Sequence, residues 1–254
     1  MKIPGINVPV KKILVKPKWA QYKENDTRQF FEPFKVNHEK LGNLDVSIRK
    51  YEDGFSNWII EVKNALDQRL GKEVLYFEKD TKNLTGLNII VEPEYRHSRF
   101  KNYKLGELLR LSSLMEMIQN KSSHIKIYSK GSAVYFHSKY GFEPDITIFA
   151  DRNRSLESII ANSDNNTYDF VEKAQDIMAK VRFYKDDAPV QRELCRQTNS
   201  LLKEYIQEVL KLGNSDENYP FNIGMNMILR KDTIEKNRSF YNKLFEKQGI
   251  DFTI

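Results

Sequence analysis

The stretch GLNIIVEPEYRHSRFKNYKLGELLRLSSL, residues 86–114, carries more chemistry than any other part of the sequence. An apolar strand ending at Ile90, Val91 and Glu92 runs into a basic loop, and the loop runs into a helix whose first turn contains Gly106. The start of a helix leaves backbone N–H groups unpaired and carries about half a positive charge, so it holds a phosphate-bearing ligand without needing side chains. Leu105, Gly106 and Glu107 supply such N–H groups here, while Arg96, Lys101 and Lys104 add cationic charge beside them. A second stretch, SAVYFHSKYGFEP at 132–144, brings Tyr135 and His137 onto one short segment. Both are side chains able to move protons.

The elements that must position these residues follow from hydrophobic period. Up to about Ala150 the pattern is mostly strand-like: LDVSIRKYEDG, NWIIEV, KEVLYFEKD, GLNIIVEP, HIKIYS and DITIFA are short, rich in β-branched and aromatic residues, and bounded by Gly, Asn or Asp. Between the fourth and fifth, Leu105, Leu108, Leu111, Leu114, Met115 and Ile118 recur at helical spacing and predict a helix from Leu105. A shorter helix is predicted from Ser132 to Tyr140, ended by Gly141. After Ala150 the apolar residues recur at three, four or seven, as in Phe170, Ala174, Ile177, Met178 and Val181, and a helical stretch is expected. FNIGMNMILRK then reads as one more strand, followed by a helix capped by Asp232 and stopped by Gly249. These elements predict an α/β (α+β) fold with a mixed, mainly antiparallel sheet of about seven strands flanked by helices, and a helical insertion before the last strand. The expected organisation is an N-terminal arm over 1–43, a core over 44–150, the insertion over 151–220, and a final strand and C-terminal helix over 221–254 that complete the core.

Composition excludes several classes. The 254 residues are 40% apolar and 12% aromatic with only 11 Gly and 8 Pro, which rules out disorder, collagen and low-complexity descriptions of the whole. The lone cysteine, Cys195, makes neither an internal disulfide nor a thiolate metal cage, and lies in a helical pattern where a buried small hydrophobe is expected. His38, His97, His124 and His137 show no metal-ligand spacing, so no metal site is expected. No window approaches the roughly 18 apolar residues of a membrane helix, and a cytoplasmic protein without membrane contact is expected. The net charge of +6 suits an anionic ligand, but charges of both signs are dispersed and form no nucleic-acid stripe.

Two motifs in the right order resemble the GNAT N-acetyltransferase superfamily. Its fourth strand ends in a Val-x-Pro-x-Tyr-Arg-like run, here Val91, Pro93, Tyr95 and Arg96, and its loop reads Gln/Arg-x-x-Gly-x-Gly/Ala before a helix. Its second signature is Ala-x-x-x-Tyr-x-x-x-Gly-Phe, here Ala133, Gly141 and Phe142. The chain departs from the pattern in carrying Lys101 at the loop start, Lys104 where the first Gly stands, His97 to Lys101 as extra residues, and His137 where the family most often has Tyr. The resemblance covers roughly Leu44 to Ala150 plus the last strand.

The resemblance implies acetyl-CoA as acyl donor and a primary amine of a small molecule or a protein as acceptor. It implies a bulge that splays the strand ending at Val91 from the next one, with the pantetheine lying along Ile90 to Glu92 and the pyrophosphate at Arg96, Lys101 and Lys104 to Glu107. Glu92 is then the candidate base and His137 the candidate acid, with Tyr135 as its substitute. The same residues also read as ordinary ones: Glu92 as a solvated strand end beside Glu94, His137 as a packed histidine, Tyr135 as core. One further function stays open, a GNAT-like CoA-binding or regulatory module without turnover, while nucleic-acid binding through Lys11, Lys12, Lys16 and Lys18 is not expected. The oligomeric state and the acceptor are not legible in the sequence.

Overall fold

The computed structural model describes residues 20–21, 29–50, 57–96, 103–213, 219, 221 and 223–254. A short antiparallel pair, β1 (Ala20–Gln21) and β2 (Gln29–Phe30), precedes the main sheet. That sheet has eight strands in the order β3-β4-β5-β6-β7-β8-β10-β9. They are β3 (Phe34–His38), β4 (Gly42–Lys50), β5 (Asn57–Asn64), β6 (Arg69–Glu78), β7 (Asn83–Val91), β8 (His124–Ser129), β9 (Glu143–Pro144) and β10 (Met225–Arg230). The fold is therefore mixed α/β and mostly antiparallel, with one strand more than the sequence suggests. Phe34–His38, which falls in the expected arm, is the edge strand of the sheet.

Short antiparallel connections need only a turn. Between β5 and β6 the Asn64 side-chain carbonyl accepts from the backbone N–H of Leu66 and Gln68, at 2.9 and 3.0 Å, and folds the chain back within five residues. The parallel pair β7 and β8 needs a crossover, and helix α1 (Leu105–Gln119) provides it. This helix is buried nearly all round: besides the leucine face read from its period, Glu107, Arg110, Ser112, Ser113, Glu116 and Gln119 are also shielded from water. It lies across β5, β6 and β7, where Leu109 meets the spot opposite Gly71 that a larger residue would fill.

One irregularity shapes the sheet. Val74 faces Asn88 but Leu75 faces Gly86, so Leu87 is an extra residue in β7. A bulge of this kind bends and twists its strand. Pairing of β7 with β8 covers only Leu84–Gly86 against Ile125–Ile127. Beyond Gly86 the two strands separate, β7 staying with β6 and β8 with β10. The sheet thus forks in its middle.

Helix α2 (Val134–Lys139) follows β8 through a 3-10 turn at Gly131–Ala133. Gly141, at φ +82°, ends the segment as the sequence suggests. DITIFA, expected as a strand, is not one: the strand stops at Pro144 and helix α3 (Phe149–Asn162) starts within it. The physical reason is Asn199, whose side chain binds both the N–H and the C=O of Ile146, at 2.9 and 3.2 Å, in place of a neighbouring strand. Helices α4 (Tyr168–Phe183) and α5 (Ala188–Leu212) complete the helical stretch before β10. Asp187 caps α5 by accepting from Val190 N–H at 3.0 Å. The end of the chain holds two short helices rather than one, α6 (Lys231–Lys236) and α7 (Arg238–Lys247), with the break at Asn237.

Gly131 is the tightest backbone position beside the fork. A Cβ there would press on the Phe221 carbonyl oxygen and lie 2.8 Å from that of Ile223, and neither is a movable side-chain end. Gly131→Ala should cost about 1–3 kcal/mol, the usual range for overpacking. An unchanged urea midpoint would contradict this.

Candidate functional site

The start of α1 gathers unpaired backbone donors and cationic side chains. Its N-cap, Lys104, stands at φ +51°, the left-handed conformation that suits the glycine of the related motif. Among the described residues no side chain caps the helix, and the N–H groups of Leu105, Gly106 and Glu107 lack partners within it. Gly106 is small for a packing reason as well: a Cβ there would lie 3.2 Å from the ring of Phe136 on α2. Beside this turn a cleft of about 150 Å³ is lined by His38, Lys40, Lys104, Lys247 and Gln248. Three lysines from separate parts of the chain therefore converge at the positive end of α1. Of these only Lys104 is legible in the sequence.

His38 ties the loop before α1 to the sheet. Its Nδ1 accepts from the N–H groups of Lys40 and Leu41, both at 3.1 Å, so the proton sits on Nε2 and is donated to the Tyr103 carbonyl at 2.8 Å. The Glu107 carboxylate accepts from Tyr140 Oη at 2.5 Å and from Gln248 Nε2. Burial, with that bond to Glu107 beside it, holds the Tyr140 phenol well above its ordinary range. Lys101 lies outside the described residues. Arg96 bends back to the strand, its Nε donating to the Val91 carbonyl at 2.9 Å.

Ile90 and Val91 lie half-buried on the arm of β7 beyond the fork, where the edge toward β8 has no strand partner among the described residues. Glu92 follows directly. Its N–H donates to Leu70 O at 2.9 Å, and its Oε1 accepts from Arg69 Nε at 3.1 Å. Arg69 also lies 3.9 Å from buried Glu61, which Arg49 grips through two bonds of 3.0 and 3.2 Å. Glu92 thus ends a chain of alternating charges on the sheet, and its side chain is about a quarter exposed, at 27%.

His137 is buried on α2, with Nδ1 3.3 Å from Arg110 Nη2. Burial, with the Arg110 charge beside it, pushes its pKa down to about 2, so the imidazole is neutral near pH 7. It has no imidazolium proton to release there. Tyr135 is buried too, its hydroxyl donating to Tyr219 O at 2.7 Å and its ring packing on Phe221. No bond joins Glu92 to His137 among the described residues. What stands next to His137 is a pair that the motifs do not mark: Arg110 Nη1 donates to Glu73 Oε1 at 2.9 Å, with both side chains at most 1% exposed. Burial raises the Glu73 carboxyl to about 7 against the pull of Arg110 and Ser113, and burial lowers Arg110. The available signal was parity, because Glu73 shares the inward register of Leu75 and Phe77.

Among the described residues no group of His, Cys, Asp and Glu is arranged to hold a metal, and no helix is long and apolar enough to cross a membrane. No family model matches the chain, and no curated protein matches it. Solved acetyltransferase structures do resemble part of it. A GNAT family acetyltransferase from Elizabethkingia anophelis with acetyl-CoA bound is 19% identical over 42% of this chain and 83% of its own, at a TM-score of 0.33. An acetyltransferase of the GNAT family from Staphylococcus aureus is 20% identical over 36% of this chain and 56% of its own, at 0.31. Tetrahymena GCN5 is 12% identical over 36% of this chain and 54% of its own, at 0.32. The chain spans about half the length of the last two.

Proposed function

We propose that this protein is an acyltransferase that moves an acetyl group from acetyl-CoA to a primary amine of a small molecule or a protein. The observation that carries the reading is the fork between β7 and β8, opening beside an uncapped, lysine-lined helix start. A long thioester cofactor needs both parts: a slot with an unpaired strand edge for its amide arm, and a donor-rich turn for its pyrophosphate. In this reading Ile90, Val91 and Glu92 flank the arm, while Arg96, Lys101, Lys104, Leu105, Gly106 and Glu107 surround the pyrophosphate, joined by Lys40 and Lys247. Glu92 takes the amine proton, directly or through water, and His137 faces the departing sulfur. Tyr135 is a packing residue whose hydroxyl is already engaged.

Calorimetry and melting with acetyl-CoA test this directly. At a hundredfold excess over the dissociation constant, linkage stabilises the fold by about 2.7 kcal/mol. No shift at any concentration would sink the reading. Lys104→Glu should weaken CoA binding at least tenfold and Lys104→Gly far less, because glycine keeps the left-handed turn at no steric cost while glutamate reverses the charge. Equal dissociation constants for all three proteins would place the pyrophosphate elsewhere.

The ion pair that holds Glu92 on Arg69 favours one second reading, a CoA-binding module without turnover. Thermal stabilisation by acetyl-CoA with no thiol release against a panel of polyamines, aminoglycosides and lysine peptides would select it.

A further inference from the structure

We propose that Glu73 and Arg110 are positioning residues that lock His137 in the tautomer whose Nε2–H hydrogen-bonds the sulfur of a departing thiolate. This rests on the acyl-transfer reading above. A guanidinium has donors and no acceptor, so the 3.3 Å contact from Arg110 Nη2 to His137 Nδ1 leaves only one arrangement: Nδ1 accepts, and the ring proton sits on Nε2. Nε2 has no partner among the described residues.

Arg110 is itself held from several sides. Its Nη1 donates to Glu73 Oε1 at 2.9 Å and to Ser113 Oγ at 3.4 Å, and its guanidinium lies 4.7 Å over the ring of Phe142. Nη1 also lies 3.8 Å from where a Cβ on Gly86 would be, and Gly86 is the last residue of β7 paired with β8. One end of the guanidinium therefore stands at the apex of the fork and the other grips the imidazole. A buried cation without a partner would be very costly, which gives Glu73 its part.

The chemistry closes without a protonated histidine. The free amine attacks the thioester carbonyl carbon, the carbon–sulfur bond breaks, and its electron pair goes to sulfur. The amine proton leaves through Glu92 or water. A neutral Nε2–H, polarised by the cation at Nδ1, donates a hydrogen bond into the growing thiolate charge, and the thiolate later takes its proton from solvent. A thiolate whose conjugate acid ionises near 8.5 needs stabilisation more than it needs a strong acid.

The test is the imidazole signature of His137 in ¹H–¹⁵N spectra of histidine-labelled protein, with CoA and desulfo-CoA as probes and calorimetry on the same samples. The expected result is a neutral Nε2–H ring that does not titrate between pH 5 and 9 and that shifts with CoA but not with desulfo-CoA. The double variant Glu73→Leu/Arg110→Met removes both charges together and so avoids an unpaired buried ion. It should lose the fixed tautomer, bind CoA as before, and turn over about a hundredfold to a thousandfold more slowly with KM little changed, the usual loss for one preorganised donor. A wild-type Nδ1–H ring, a titrating ring, CoA binding without a response at His137, or full turnover in the double variant would each overturn the proposal alone. Absence of CoA binding would overturn the acyl-transfer reading and this proposal with it.

Discussion

Arg110→Met should destabilise the protein by about 3–5 kcal/mol, whereas Glu73→Leu/Arg110→Met should be close to neutral or even stabilising. The single change strands a carboxylate that is 0% exposed beneath α1, already lacking a partner for Oε2. The double change removes both charges and leaves the Ser113 hydroxyl and His137 Nδ1 as neutral polar atoms beside the new apolar side chains. Urea midpoints of the three proteins measure the difference. Similar losses in both variants would mean that packing, not charge, makes this pair matter.

The pH dependence sharpens the same prediction. Burial raises the folded-state carboxyl of Glu73 from 4.5 to about 7, so between those values the folded protein holds a proton that the unfolded chain has released. Stability from this group is therefore highest below about pH 4.5, declines as pH rises, and levels off above about pH 7. Removing Arg110 takes away the attraction that holds the carboxyl down, so in Arg110→Met the decline continues to higher pH. The gap between wild type and Arg110→Met should widen from pH 5 to pH 8. A constant gap would show that the stranded charge is not its source.

How much of this was legible beforehand depends on which residues report locally. Helix α1 is legible through Leu105, Leu108 and Leu111, and the place where it starts through the basic loop and Gly106, because period and turn chemistry are local properties. The bulge at Leu87 was implied only through the motif resemblance. No residue type marks it, since register is set by partners in other strands. Lys40 and Lys247 carry no local signal for the same reason: they lie far apart in sequence and meet only because β3 and α7 both end beside Lys104. DITIFA shows the converse error. Its alternation is that of a strand, and the side chain of Asn199, more than fifty residues away, decides otherwise by binding Ile146.

His137 shows where residue type misleads. As a histidine in a motif position it suggested an acid, because free imidazole titrates near neutrality. Burial removes that property first and the charge of Arg110 adds to it, and Arg110 sits in a helix whose leucine spacing points to a purely apolar face. Buried charge in such a helix signals a partner on the facing strand, and the charged residue at inward parity in KEVLYFEKD is Glu73.

Glu92→Gln should lower turnover about a hundredfold to ten-thousandfold at pH 6.5, the range for a lost general base, and recover much of it by pH 9.5. An alkyl amine with a pKa near 10.4 is almost wholly protonated at the lower pH, so the reaction there depends on a group that removes the proton within the complex. Each unit of pH raises the free-amine fraction about tenfold until it approaches the amine's own pKa, and solution chemistry then replaces what Glu92 did. Glutamine keeps the size of the side chain and an oxygen acceptor for Arg69, so the end of β7 and CoA binding should be preserved. His137→Ala should behave differently. Its loss falls on the sulfur, which meets the same missing hydrogen bond at every pH, so raising pH brings no recovery. Thiol release from acetyl-CoA, followed at both pH values with one amine acceptor, separates the two residues. Parallel pH profiles for the two variants would refute the division of labour, and a Glu92→Gln enzyme as fast as wild type at pH 6.5 would move the base elsewhere, with water relayed along the β7 edge as the next candidate.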